Sequence, residues 1–296
     1  MLYISYEAAS KLRDSWPTIM FRLRPVVAAL GARDCKTLTV ADWTAYRTPR
    51  EASLSVQTLN MELTWLKAML RWGVLQGHLQ DEPKICRAKR VQIKKRRKAA
   101  TREADVLALL EEAGAPDRDT VKRARDRVII LCACDSGMRR NEIRQLQWSW
   151  LDRARLEIRI PDWAAKGGRG GAVPMTRRTL AAIDAVPRHI ASTYVLANVA
   201  TGEPYHRGSF TAWWNDLAFR AGLKPAPGKP RLTLHAGRRG YGTEAARRGV
   251  RIEVIQEVYR HASLDQTRDY IQTDGTDLTA ALDTFEAGIE RDRTRR

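Results

Sequence analysis

The chain is 296 residues long, 44% hydrophobic, and carries 52 Lys and Arg against 34 Asp and Glu, a formal net charge of +18. That length has room for about two ordinary domains and excludes a minimal disulfide scaffold, and so basic a balance makes a polyanion the default partner. The four cysteines (Cys35, Cys86, Cys132, Cys134) are too scattered for a disulfide framework or a zinc module. Arg22 and Arg24 spoil the N-terminus as a signal peptide, and no apolar run reaches the roughly 18 residues of a membrane span, so a soluble, cytoplasmic protein is expected.

Tyr6 to Leu30 is helical in composition apart from a break near Pro17, and Val40 to Tyr46 reads as a short helix before the turn at Pro49. Ser53 to Gly73 reads as one long helix, with Leu59, Leu63, Leu66 and Leu70 on one face and Trp65, Met69 and Trp72 on another. So wide an apolar surface predicts a buried helix. Residues 1–82 are expected to form a small all-α domain, without internal repeats.

After Pro83 the composition changes. Between Lys84 and Arg102 there are ten basic residues and no acid: Lys84, Arg87, Lys89, Arg90, Lys94, Lys95, Arg96, Arg97, Lys98 and Arg102. Residues 83–100 are read as an interdomain linker. Such a run is either a solvated tether or a segment lying along DNA phosphates; the overall charge favours DNA contact.

From Thr101 the pattern is helical again. Thr101 is a plausible N-cap for a helix to Glu112, a second helix runs from about Asp119 to Cys134, and a third begins near Arg139. Cys132 and Cys134, in the apolar run from Val128, read as core. Then Leu156, Ile158 and Ile160 alternate with Glu157 and Arg159, glycines 167, 168, 170 and 171 mark a turn, and Ala172 to Met175 returns as a partner strand. Helices are expected at about 177–186, 207–221, 235–248, 252–260, 265–273 and 278–290. Residues 101–296 thus read as a mainly α domain holding a small antiparallel β-sheet.

Several polar residues sit at these transitions. Arg139 follows Asp135-Ser136-Gly137-Met138 at a helix start, where positive charge and free amides suit an anion. Glu142 lies one turn on and can hold Arg139; alone, either reads as surface decoration. Lys166 is flanked by glycines on the hairpin, placed to touch a DNA backbone or to act as an acid. His235 and Arg238 are three apart at a helix start. His261 and Tyr270 are nine apart, across a turn in which Asp265 is a candidate N-cap.

Taken in order, Gly-x-Arg-x-x-Glu, Lys on a glycine-rich hairpin, His-x-x-Arg, then His with Tyr nine residues later resembles the tyrosine recombinase (phage integrase) family, over nearly the whole chain. The resemblance implies a two-domain C-shaped clamp on a duplex: a SAM-like helical core-binding domain (1–82, especially Ser55 to Gly77) and an integrase-like catalytic domain (101–296). It implies that Arg139 and Arg238 clamp the phosphate, Lys166 is the hairpin lysine, His235 and His261 are the active-site imidazoles, Glu142 is the supporting acid and Tyr270 the nucleophile. Lys84, Arg87, Lys89, Arg90 and 94–98 are the expected DNA-binding residues.

The chain departs from the family pattern at three positions. Gly237 stands where Leu is usual and is expected to loosen the helix bearing His235 and Arg238; Arg260 stands where Gly is usual and is expected to add a DNA contact; Ser136 replaces a commoner Thr. The chemistry is self-consistent. A covalent phosphate ester conserves the energy of the broken bond, and a phenol, with a pKa of about 10, makes the step reversible. Two guanidiniums stabilise the charge of the phosphate in flight. No carboxylate cluster suggests two-metal chemistry, so neither metal nor cofactor is expected and activity should persist in chelator.

The face Leu278, Ala281, Leu282, Phe285 and Ile289 of the 278–290 helix must be buried, in a neighbouring protomer of a synaptic homotetramer or on its own domain. An accessory directionality factor is a further expected partner, and a phage or other mobile element the expected setting. The rivals are a catalytically idle DNA-binding regulator on the same scaffold and a type IB topoisomerase. The full polar set disfavours the first; the compact N-terminal domain argues against the second.

Overall fold

The computed structural model describes residues 1–11, 15–93, 98–227, 230–271 and 286. The chain divides into two compact units, Met1–Arg96 and Arg97–Arg296. Among the described residues no helix is long and apolar enough to cross a membrane.

The first unit is helical: α1 (Leu2–Ser10), α2 (Trp16–Leu30), α3 (Val40–Arg47) and α4 (Val56–Leu75). The expected break near Pro17 falls just before it, between the end of α1 at Ser10 and the start of α2 at Trp16. Pro17 itself sits in the first turn of α2, where its missing N–H costs no bond. α3 opens with a reciprocal cap: the Thr39 amide donates to Asp42 at 2.8 Å and the Asp42 amide to Thr39 at 3.4 Å. α4 starts at Val56 because the Ser55 hydroxyl accepts the Thr58 amide. Leu59, Leu63, Leu66 and Leu70 are buried as the pattern predicts, as is Glu62, which accepts from the Tyr46 hydroxyl at 2.8 Å and Arg50 at 2.9 Å.

The basic stretch begins inside this unit. Lys84–Arg87 is a 3-10 turn whose Ile85 and Cys86 are buried, with the Ile85 amide donating to the Leu38 carbonyl at 2.9 Å. Further along, Asn60 of α4 grips both backbone groups of Val91, at 2.8 and 3.0 Å, and Lys67 donates to the Ala88 carbonyl. Lys84, Arg87, Lys89 and Arg90 are left exposed on a fixed backbone. Residues 94–97 lie outside the described residues, as does the expected 278–290 helix apart from Glu286.

The second unit comprises α5 (Glu103–Ala113), α6 (Thr120–Cys134), α7 (Arg140–Arg144), β1 (Leu151–Asp152), β2 (Glu157–Ile160), β3 (Gly171–Pro174), α8 (Arg177–Asp184), α9 (Arg207–Arg220), α10 (Leu234–Arg247), α11 (Ile252–Tyr259) and α12 (Leu264–Arg268). Val128 to Cys134 of α6 is buried throughout, and α5, α8 and α10 pack on it. The sheet is antiparallel in the order β1-β2-β3, with Ile158 opposite both Leu151 and Val173. Ile158, Ile160 and Val173 face the core.

Three details differ from the sequence reading. Leu156 is not in a strand but in the preceding turn, at φ 53°. Arg102, not Thr101, caps α5, its amide donating to Asp105 at 2.8 Å; Thr101 is buried and its amide donates to the Ala236 carbonyl at 3.1 Å. α12 stops at Arg268, short of the expected 273.

Candidate active site

The site is assembled where α7, α10, α11 and the segment after α12 meet. Gly137 makes the turn between α6 and α7 at φ 61°, and a Cβ there would stand 2.8 Å from Tyr241 and 2.9 Å from Tyr259. Only glycine satisfies both the backbone and the space. Arg139 is the N-cap of α7, its amide donating to Glu142 Oε2 at 2.8 Å and its Nη1 to Oε1 at 3.0 Å. Glu142 is 1% exposed. Burial opposes its charge, but Arg260 and Arg139 outweigh that and hold its pKa below the usual carboxylate value.

Arg238 is fully buried on α10. It donates to the Gly137 carbonyl, to the Tyr259 carbonyl at 2.7 Å and, at 3.4 Å, to His261 Nε2. Its guanidinium also lies 4.0 Å from the Tyr259 ring centre. Burial, then the charge of Arg139, lowers it to about 10, so it stays protonated at neutral pH. Arg139 Nη2 reaches the same Tyr259 carbonyl at 2.8 Å.

The helix bearing Arg238 is not loosened by Gly237. α10 is continuous from Leu234 to Arg247, and a Cβ on Gly237 would stand 2.9 Å from Cys134 Sγ and 3.0 Å from Ala133 Cβ. The glycine lets α10 lie close against α6, and the usual leucine does not fit this packing.

His235, at the exposed start of α10, has its Nε2 2.6 Å from the Tyr270 hydroxyl. Desolvation by the packed side of the site, and the charges of Arg239, Arg238, Arg139 and Lys98, lower it to about 4. His261 is lowered to about 4 as well, by desolvation and then by Arg238, Arg139 and Arg260. A guanidinium only donates, so His261 Nε2 accepts from Arg238 and Nδ1 carries the proton toward Thr267 Oγ1, 3.1 Å away. Tyr270 follows α12, with its amide on the Thr267 carbonyl at 2.9 Å and its ring 4.9 Å from His261 and 5.4 Å from Tyr259.

The structure therefore links Arg139, Glu142, His235, Arg238, His261 and Tyr270. Lys166 is not among them. It is exposed on the loop between β2 and β3 and makes no hydrogen bond or ion pair among the described residues. An open groove of about 740 Å³ lies between β2, β3 and α11, with His261 and Arg260 on its wall. Among the described residues no group of three or more His, Cys, Asp or Glu is arranged to hold a metal ion.

Arg260 does not stand out toward a ligand as a DNA contact would. Its side chain is 5% exposed and donates to Glu142 Oε1 at 2.6 Å. Tyr259 and Thr267 belong to the site without having been singled out in the sequence. Tyr259 contributes a backbone carbonyl and a hydroxyl bonded to the Arg238 carbonyl. Ser136 is 1% exposed, its hydroxyl unpartnered among the described residues.

Residues 99–276 match the model of the phage integrase family. Similar curated proteins include tyrosine recombinase XerA of Pyrococcus furiosus, 24% identical over 79% of this chain and 76% of its own. Tyrosine recombinase XerC 2 of Ralstonia nicotianae is 28% identical over 83% and 70%, respectively. Among solved structures, a lambda integrase dimer bound to a COC′ core site superposes with a TM-score of 0.74 at 15% identity, over 93% of this chain and 95% of that one. A XerH recombinase in a post-cleavage complex on a palindromic difH substrate gives 0.69 at 18%, over 92% and 76%. The chain belongs to the phage integrase family. It is accordingly a tyrosine recombinase, an enzyme of site-specific recombination, with the mainly helical catalytic fold and small three-stranded sheet of the integrases.

Proposed function

We propose that this protein cleaves and rejoins duplex DNA through a covalent 3′-phosphotyrosine at Tyr270, with neither metal nor ATP. The observation that carries the proposal is the Tyr270 hydroxyl, 2.6 Å from His235 Nε2 in a site where Arg139 and Arg238 converge on one carbonyl. The phenol oxygen attacks the scissile phosphorus, the P–O5′ bond breaks, and the phenol proton passes to His235, whose low pKa leaves it neutral and able to accept. Lys166, on its exposed loop, is the proton donor to the departing O5′.

Arg139 and Arg238 take the non-bridging oxygens, each guanidinium offering paired donors to the growing charge. His261 adds a donor once its proton sits on Nε2. The Thr267 hydroxyl can donate as well as accept, so the change of tautomer keeps the bond at Nδ1. Glu142 holds Arg139 in place. Because the guanidiniums supply the positive charge, the reaction is expected to proceed in EDTA.

Duplex binding in this reading is shared by the catalytic unit and the N-terminal unit, the latter acting as the SAM-like half of a C-shaped clamp. Lys84, Arg87, Lys89, Arg90 and the basic residues 94–98 are the phosphate contacts between them. Two paired sites call for a tetramer, and a solved lambda integrase tetramer bound to a Holliday junction shares this fold at a TM-score of 0.72. In this reading the task is integration and excision of a mobile element or phage.

The test is incubation of the purified protein in EDTA with DNA tiling the flanks of its own gene, followed by denaturation, with Tyr270→Phe alongside. A Tyr270-dependent covalent adduct is expected. Site-specific binding without any adduct favours the idle regulator instead.

A further inference from the structure

Arg260 ends α11 in the left-handed region, at φ 52° and ψ 43°. Glycine adopts that conformation freely; an arginine held there carries strain that its side-chain contacts must offset. Those contacts are specific. Nη2 donates to Glu142 Oε1 at 2.6 Å and Nη1 to the Val258 carbonyl at 3.0 Å, and the aliphatic stem passes 3.4 Å from where a Cβ on Gly171 would stand.

The carboxylate it grips is the one that holds Arg139. Glu142 Oε1 accepts from Arg139 and Arg260 together, while Oε2 takes the Arg139 amide. By itself the Arg139–Glu142 pair is electrically neutral and presents little field to a phosphate. With Arg260 on the same oxygen the trio is net positive, in a site shielded enough for that charge to matter.

We propose that Arg260 is a positioning residue of the recombination site. It fixes the Glu142 carboxylate that orients Arg139, and by taking up that negative charge it leaves Arg139 a net cation toward the scissile phosphate. The inference rests on the function proposed above and assigns a role to a residue where the family pattern has glycine.

The test compares full-length wild type, Arg260→Gly, Arg260→Met, Arg260→Lys and Tyr270→Phe on a duplex that the wild type selects from a random-sequence library, nicked so that cleavage traps the adduct. Glycine suits the backbone and methionine keeps the packed stem, so a charge effect appears in both. Adduct formation at saturating protein is expected to slow about tenfold in both while the duplex Kd stays within about twofold. Arg260→Lys is expected to recover most of the rate. The acid limb of the rate against pH should move upward in the uncharged variants, because Glu142 then holds its proton more readily.

Wild-type rates in the uncharged variants, failure of lysine to rescue, or a loss confined to Kd would each overturn the proposal. Absence of a Tyr270-dependent adduct in the wild type is a separate result: it overturns the proposed function and this inference with it.

Discussion

Arg139 and Arg238 donate to a single acceptor, the carbonyl oxygen of Tyr259, at 2.8 and 2.7 Å. Two cations are thereby drawn together on a neutral group that offsets only part of their repulsion. An oxyanion with two acceptor oxygens satisfies both and adds the missing charge. Sulfate is therefore expected to raise the thermal midpoint above that in chloride of equal ionic strength, by about 1–3 °C, with the rise lost in Arg139→Ala. Differential scanning fluorimetry measures it.

The histidines set a pH window. Both His235 and His261 lie at about 4 in the folded protein against 6.5 for an unperturbed imidazole. Between those values the unfolded chain binds more protons, so the stability they contribute is intact above about pH 6.5 and is lost as pH falls toward 4. Thermal melts should fall steeply across that interval in the wild type and less steeply in His235→Gln/His261→Gln. The adduct-forming rate should show no titration near 6.5.

Gly237 makes a prediction about packing. Installing leucine, the usual family residue, drives a side chain into Cys134 and Ala133, whose atoms stand 2.9 and 3.0 Å from the would-be Cβ. Overpacking of this kind costs about 1–3 kcal/mol, more than the helix-propensity gain of about 1 kcal/mol. Gly237→Leu should lower the urea midpoint. A midpoint at or above the wild-type value would show that α6 yields easily.

The exposed cations pinned along α4 should be visible as salt dependence. Lys89 and Arg90 lie between Ala88, held by Lys67, and Val91, held by Asn60. If both meet phosphates, Lys89→Ala/Arg90→Ala reduces the slope of log binding constant against log salt by about two. Fluorescence anisotropy across a salt series measures the slope.

The sequence makes the scaffold legible where one physical signal dominates. The leucine stripe of α4 and the alternation at Ile158 and Ile160 require burial and are buried. Strand β1, at two residues, is too short to carry a period, and Leu156 kept the alternation while occupying a turn. In the site, six polar side chains spread from Arg139 to Tyr270 come together, because their spacing places them on elements packed around α10. Tyr259 escaped notice because its contribution is a backbone carbonyl, which no residue type advertises. Arg260 was legible as a departure, but its direction was not: the left-handed backbone turns its guanidinium inward onto Glu142 rather than outward to DNA.

The most direct test of the account is chemical mapping of the adduct. Trapped protein–DNA complex is digested with protease and nuclease, and the nucleotide-bearing peptide is located by mass spectrometry, with end-labelled duplexes reporting which strand end is held. The expected result is a nucleotide on the Tyr270 hydroxyl, joined through a 3′-phosphate and leaving a free 5′-hydroxyl. Attachment to any other residue, or through a 5′-phosphate, would contradict it.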